Sequence, residues 1–133
     1  MDLINIEGIG PTYKEKLSQA GVTSVEDLLA KGSTKKGRAD LEAASGITGT
    51  LILNWVNMAD LMRIKGVGEE YSELLHVAGV DTVVELATRV PANLHAKITE
   101  VAAGKNLVRV VPALSQVESW VAEAKTLPRV VEY

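Results

Sequence analysis

The sequence contains no cysteine and no phenylalanine. Without cysteine there can be no disulfides, thiol catalysis or zinc–thiolate sites, which favours a cytoplasmic location. Without phenylalanine the core has to be mainly aliphatic, since the aromatic residues are two tryptophans and three tyrosines. No apolar run approaches the roughly 20 residues of a membrane-spanning helix, and the first residues do not resemble a signal peptide. The sequence therefore predicts no membrane partner.

A basic excess is also missing, because 17 acidic residues outnumber 14 basic ones and the formal net charge is −3. Proteins that bind nucleic acid without sequence preference gain most of their affinity from cationic contacts with phosphates. Any nucleic-acid binding by this chain would therefore have to come from a local patch of lysine and arginine.

Groupings of catalytic or metal-binding residues are equally scarce. The two histidines, His76 and His95, have no partner at the spacing of metal ligands. The sequence shows no nucleophile with an adjacent base, no phosphate-binding P-loop and no paired-carboxylate motif. It predicts a non-catalytic protein without a cofactor or metal.

What the sequence does contain is an internal repeat. Shifted by 58 positions, residues 6–29 match residues 64–87 at nearly half of the positions, mainly at glycines and at apolar residues with helical spacing. Each copy opens with a Gly-apolar-Gly triplet, here named the first hairpin (Gly8-Ile9-Gly10) and the second hairpin (Gly66-Val67-Gly68). An amphipathic helix and an Ala-Gly-Val turn follow each triplet. This pattern is typical of a duplicated supersecondary unit.

Glycines, caps and apolar spacing predict an all-α fold of two tandem units, residues 1–63 and 64–133, with about eight short helices packed as one compact domain. The second unit includes an extended connection at 106–112 and a C-terminal tail. Trp120 matches Trp55 near the end of each copy, and we expect the Trp120 helix to fold back against the first copy. The predicted helices lie near 11–20, 23–30, 34–44, 48–62, 69–78, 82–89, 91–103 and 115–126.

The stretch I-E-G-I-G-P-T-Y-K-E-K-L at residues 6–17 resembles the helix-hairpin-helix modules of DNA polymerases, nucleases and ligases. With the segment N-W-V-N-M-A-D-L-M-R-I-K-G-V-G-E-E-Y at residues 54–71, the whole chain is similar to the bacterial family DUF4332, whose function is not established. The resemblance implies non-specific contact with a DNA backbone. In such modules the hairpin amides and the following helix N-terminus hold a phosphate, while nearby lysine or arginine supplies charge.

By this resemblance the first hairpin and the neighbouring basic residues form a candidate nucleic-acid site. Its members are Gly8, Ile9, Gly10, Thr12, Lys14, Lys16, Lys35, Lys36 and Arg38. The second hairpin departs from the pattern, because Glu69, Glu70 and Glu73 follow it and would repel phosphate. We expect it to have a structural role only.

Two functions remain open at this point. The first is a binding module with weak, sequence-independent affinity for DNA through the first hairpin. The alternative is a protein–protein interaction or scaffold module that keeps the fold without binding DNA, with an unidentified protein as partner. The second reading treats the lysines as a solvated face and the glycine triplets as tight turns. The oligomeric state is not indicated by the sequence.

Overall fold

A computed structural model describes all residues, 1–133. The chain forms eight α-helices and one short 3-10 turn, Leu3–Asn5, with no strand. This confirms the all-α class and the number of helices. The helices are α1 (Pro11–Gln19), α2 (Val25–Gly32), α3 (Lys35–Ser45), α4 (Gly49–Leu61), α5 (Glu69–Val77), α6 (Val83–Leu86), α7 (Pro91–Lys105) and α8 (Leu114–Ala124).

Local sequence explains where these helices begin. The side chains of Ser24, Thr34 and Thr82 cap α2, α3 and α6 by accepting a hydrogen bond from the backbone N–H three residues later. Pro11 and Pro91 occupy the first turns of α1 and α7, where a missing N–H costs nothing. None of the eight helices is both long enough and apolar enough to cross a membrane.

The chain divides into two compact units, one of residues 1–60 with Val130–Tyr133 and one of Leu61–Arg129. The sequence-based boundary at 63/64 lies three residues from the division in the structure. The prediction also assigned the C-terminal tail to the second unit, whereas residues 130–133 belong to the first. Val131 explains this difference, because its side chain is buried in the first unit and not left in solvent.

The first unit has an aliphatic core around one tryptophan. Helix α3 packs against both α1 and α2. The ring of Trp55 on α4 meets that of Tyr13 on α1 edge-on, with centroids 5.1 Å apart. The buried apolar side chains here include Leu3, Ile6, Ile9, Leu17, Val22, Val25, Leu28, Leu41, Ile47, Ile52, Trp55 and Val131.

The second unit shares two features with the first, the packing of its first helix on its third and a tryptophan–tyrosine contact. Helix α7 packs against α5 and α8, and α6 packs against α8. Trp120 on α8 lies in the core of this unit, with its ring centroid 5.3 Å from that of Tyr71. The prediction that the Trp120 helix packs on the first copy is therefore wrong. Each copy uses its own tryptophan, because each places a tyrosine on the helix after the hairpin to receive it.

Equivalent contacts at the end of the first helix show how closely the two copies correspond. Gly21 and Gly79 both have a positive φ and close helices α1 and α5. Their carbonyl oxygens each accept a hydrogen bond from a cation at matching positions, the ammonium of Lys31 and the guanidinium of Arg89. The repeat, at a shift of 58 residues, thus includes both the hairpins and the cation that caps each Ala-Gly-Val turn.

Candidate nucleic-acid interface

The first hairpin is a tight turn in which Gly8 has a φ of +96°. The N–H of Ile9 donates to the carbonyl of Ile6 at 3.1 Å, and the Ile9 side chain is buried. A Cβ added to Gly8 would lie 3.2 Å from Nε1 of Trp55, whereas one added to Gly10 would meet nothing within 4 Å. Only Gly8 is therefore required to be glycine by backbone conformation and by space.

This difference predicts unequal effects of alanine at the two glycines. Gly8→Ala should lower the free energy of unfolding by about 1–2 kcal/mol, since an L-residue is strained at positive φ and its Cβ would crowd Trp55. Gly10→Ala, the matched control, should cost less, about 0.5 kcal/mol, because alanine is a poorer N-cap than glycine but its Cβ meets no neighbour. Urea denaturation followed by circular dichroism measures both. Equal losses for the two variants would contradict the prediction.

Helix α1 follows its N-cap Gly10, and its first turn has features that suit an anion. Gly10 provides no side-chain cap, and the first turn contains no acidic residue. The N–H groups of Thr12 and Tyr13 lie in the first turn, where a helix offers them no carbonyl partner. The hydroxyl-bearing side chain of Thr12 is exposed. Backbone amides, the helix dipole and a hydroxyl can together favour a phosphate oxygen here.

The two lysines of α1 differ in how much charge they can offer. Nζ of Lys14 lies 3.0 Å from the carboxylate of Asp2, so its charge is partly neutralised. The neighbouring cation also lowers the pKa of Asp2, after the larger effect of a hydrogen bond from the Ile4 N–H. Lys16 is exposed, and its ammonium lies 5.8 Å from the centroid of the Tyr13 ring. Lys16 is thus the more available cation on this helix.

The basic residues of α3 have three different environments. Lys35 is exposed at the helix start, and Lys36 forms an exposed ion pair with Asp40 at 3.2 Å. Arg38 is buried, at 8% exposure, and donates to the carbonyl oxygens of Gly32 and Glu132 at 2.8 and 2.5 Å. The assignment of Arg38 to a nucleic-acid site is therefore corrected, because its guanidinium is used inside the protein.

The second hairpin keeps the turn but has an acidic helix start. Gly66 has a φ of +88°, and Glu69 and Glu70 lie in the first turn of α5. The Glu70 carboxylate accepts the backbone N–H of Arg109 at 2.9 Å and two guanidinium bonds from the same residue, at 3.0 and 2.9 Å. This carboxylate holds the 106–112 connection to α5, and its charge is partly neutralised by the Arg109 guanidinium.

The hydrogen bond from the Arg109 N–H, followed by those from its guanidinium, holds the pKa of Glu70 below its ordinary value. A lowered pKa in the folded state means that the pair stabilises the fold above the unfolded carboxyl pKa. That contribution disappears as pH falls through the folded pKa. NMR titration should show a higher Glu70 midpoint in Arg109→Ala, though not full restoration, because the backbone N–H remains. Lys105→Ala, which removes an exposed cation, is the control and should leave the midpoint unchanged.

Two further contacts fix the connection between α7 and α8. The hydroxyl of Tyr71 donates to the carbonyl of Val110 at 2.9 Å, and Nε2 of His95 lies 3.0 Å from the carbonyl oxygen of Pro112. The sequence indicated an extended connection here but gave no sign of these partners. The extra residues of the second copy therefore lie beside the second hairpin.

Each of the two histidines contacts one oxygen-bearing partner. Nδ1 of His76 lies 3.2 Å from the carboxylate of Asp81, and His95 contacts a backbone carbonyl. No group of three or more histidine, cysteine, aspartate or glutamate side chains could hold a metal ion.

The comparison with protein families decides the family of this chain. The domain of unknown function DUF4332 matches residues 7–127, which is nearly the whole sequence. The chain belongs to the DUF4332 family. No curated protein and no solved structure matches it significantly. In this DUF4332 protein both hairpins, both tryptophans and the Glu70–Arg109 contact fall within the matched range.

Proposed function

We propose that this DUF4332 protein is a non-catalytic binding module that contacts a nucleic-acid backbone weakly and without sequence preference through the first hairpin. The observation that carries the proposal is the contrast between the two helix starts. The N-terminus of α1 has no acid in its first turn and an exposed Thr12. The equivalent start of α5 has Glu69 and Glu70. This contrast supports the first copy over the second as the site for a phosphate, because carboxylates in a first turn oppose an anion there.

The available charges limit the affinity of this interface. Lys16 and Lys35 are exposed without a carboxylate in contact, whereas Lys14 and Lys36 would have to leave Asp2 and Asp40. Two to four neutralised phosphates correspond to a slope of about −2 to −4 for the logarithm of the duplex binding constant against that of salt concentration. Binding should therefore be measurable at low salt and largely lost near physiological salt.

A titration of short duplex DNA at low salt tests the proposal. The wild type should shift the duplex with a salt dependence in this range, and Lys16→Glu/Lys35→Glu should abolish the shift. Lys97→Glu/Lys105→Glu is the matched control, because it reverses two exposed lysines on α7 and changes the net charge equally. Equal loss in both double variants would point to overall charge and contradict a site at the first hairpin.

The second candidate is a protein–protein interaction module. The observation that favours it is that three of the predicted cations already have partners in this chain. Lys14 and Lys36 contact carboxylates, and Arg38 is buried. With a net charge of −3, such pairing leaves little positive potential. Absence of any duplex shift at tens of micromolar protein would favour this candidate over nucleic-acid binding.

A further inference from the structure

The first unit holds a short segment of chain that is distant from it in sequence. Residues 130–133 join residues 1–60 in this unit. The N–H of Glu132 donates to the carbonyl of Ser33 at 2.7 Å, and Arg38 donates to the carbonyl of Glu132 at 2.5 Å. The N–H and the carbonyl of Glu132 are therefore both hydrogen-bonded to the first unit.

The flanking side chains of this segment are recognised separately. Val131 is buried, at 1% exposure, while Glu132 is exposed. The hydroxyl of Tyr133 donates to Oδ1 of Asn57 at 3.2 Å, and Asn57 is itself buried. Tyr133 is 63% exposed and borders a depression of about 330 Å³ that Ala39 and Leu53 also line.

The groove that receives this segment includes the C-terminal end of α2. The carbonyl groups there need hydrogen-bond donors from outside the helix. Ser33 is the C-terminal cap of α2, and Gly32 is the last residue of that helix. Carbonyl groups at a helix C-terminus lack partners within the helix. Arg38 supplies the donor for Gly32, and the incoming segment supplies the one for Ser33. Without that segment, the Ser33 carbonyl would lose its donor and the Arg38 guanidinium would lose one of its two acceptors.

We propose that this groove, formed by Ser33, Arg38, Asn57 and the site that buries Val131, is a peptide-binding site occupied in cis by the chain's own tail. Main-chain bonds with one buried side chain are a recurrent way of recognising an extended peptide. The partner is an extended segment with a β-branched aliphatic residue two positions before a tyrosine, which displaces residues 130–133. This proposal goes beyond nucleic-acid binding and does not depend on it.

The test opens the groove in the full-length chain with Val131→Asp, because a carboxylate cannot remain in the buried site without a large cost. The probe is a fluorescent peptide with the sequence of residues 127–133, amidated at its C-terminus. We expect saturable binding to the variant by fluorescence polarisation. Binding to the wild type should be at least about tenfold weaker, because its tethered tail competes at high effective concentration.

Two controls assign the binding to the groove. A peptide with aspartate at the position of Val131 should not bind the opened variant. Adding Arg38→Gln to that variant should remove binding of the original peptide while circular dichroism shows that the double variant is folded. A folded Val131→Asp protein that fails to bind the original peptide would overturn the proposal. A wild-type dimer that Val131→Asp dissolves would overturn the cis assignment, since a second copy would then supply the tail.

Hydrogen exchange on the wild type keeps the proposal testable if Val131→Asp does not fold. A displaceable tail should expose the Glu132 N–H by local opening. That amide should therefore exchange much faster than the Val22 N–H, which is bonded to the Leu17 carbonyl in the core. Exchange of both amides at the same rate, through global unfolding alone, would overturn the proposal.

Discussion

Replacing Trp120 with alanine should lower the free energy of unfolding by about 3–5 kcal/mol. The side chain is almost fully buried, belongs to the core of the second unit and packs on Tyr71. Its removal loses the transfer free energy of the indole and leaves a cavity among aliphatic neighbours that can relax only in part. Urea denaturation followed by far-ultraviolet circular dichroism measures the loss.

The controls for Trp120→Ala come from the repeat. Trp55→Ala should cost a similar amount, because Trp55 is equally buried and meets Tyr13 in the same way. Trp120→Phe should cost less than Trp120→Ala, since a phenyl ring retains most of the buried apolar area. A loss below about 1 kcal/mol for Trp120→Ala, which is typical of surface changes, would show that this side chain does not organise the second unit.

The eight helices were predictable because their signals are local. Three helices are capped by a side chain that bonds to the N–H three residues later, namely those of Ser24, Thr34 and Thr82. Two helices end at a glycine with a positive φ, Gly21 and Gly79. Such features are encoded within one turn of chain and need no knowledge of the fold. Because the repeat shows equivalent caps and helix-ending glycines in both copies, each helix boundary could be predicted twice. The bounds of most helices agree with the structure within one or two residues.

The environment of the candidate site was less predictable, because it depends on contacts between distant residues. Nothing near Arg38 in the sequence distinguishes it from Lys35 or Lys36, yet its guanidinium bonds to Glu132, 94 residues away. Asp2 neutralises Lys14 across a turn whose path the sequence does not specify. Glu70 likewise bonds to Arg109 across 39 residues. Sequence spacing identified the hairpins correctly as turns, but it could not indicate which cations remain available.

Arg38→Met should lower the free energy of unfolding by about 2–4 kcal/mol, which is the expected cost of leaving one buried and one partly buried carbonyl group without a donor. Methionine keeps the aliphatic stem but cannot bond to the oxygens of Gly32 and Glu132. Part of the loss is offset, because the variant no longer desolvates a guanidinium. Urea denaturation gives the total, and faster hydrogen exchange at Glu132 should report loosening of the tail.

Lys35→Met is the matched control for Arg38→Met, since it removes an exposed cation from the same helix with the same replacement. It should change stability by less than about 0.5 kcal/mol. Arg38→Lys should lie between the two, because an ammonium group lacks the planar fork that reaches two carbonyl oxygens at once. If Arg38→Met and Lys35→Met both lowered the free energy of unfolding by less than about 0.5 kcal/mol, Arg38 would have no structural role. It would then return to the candidate nucleic-acid site.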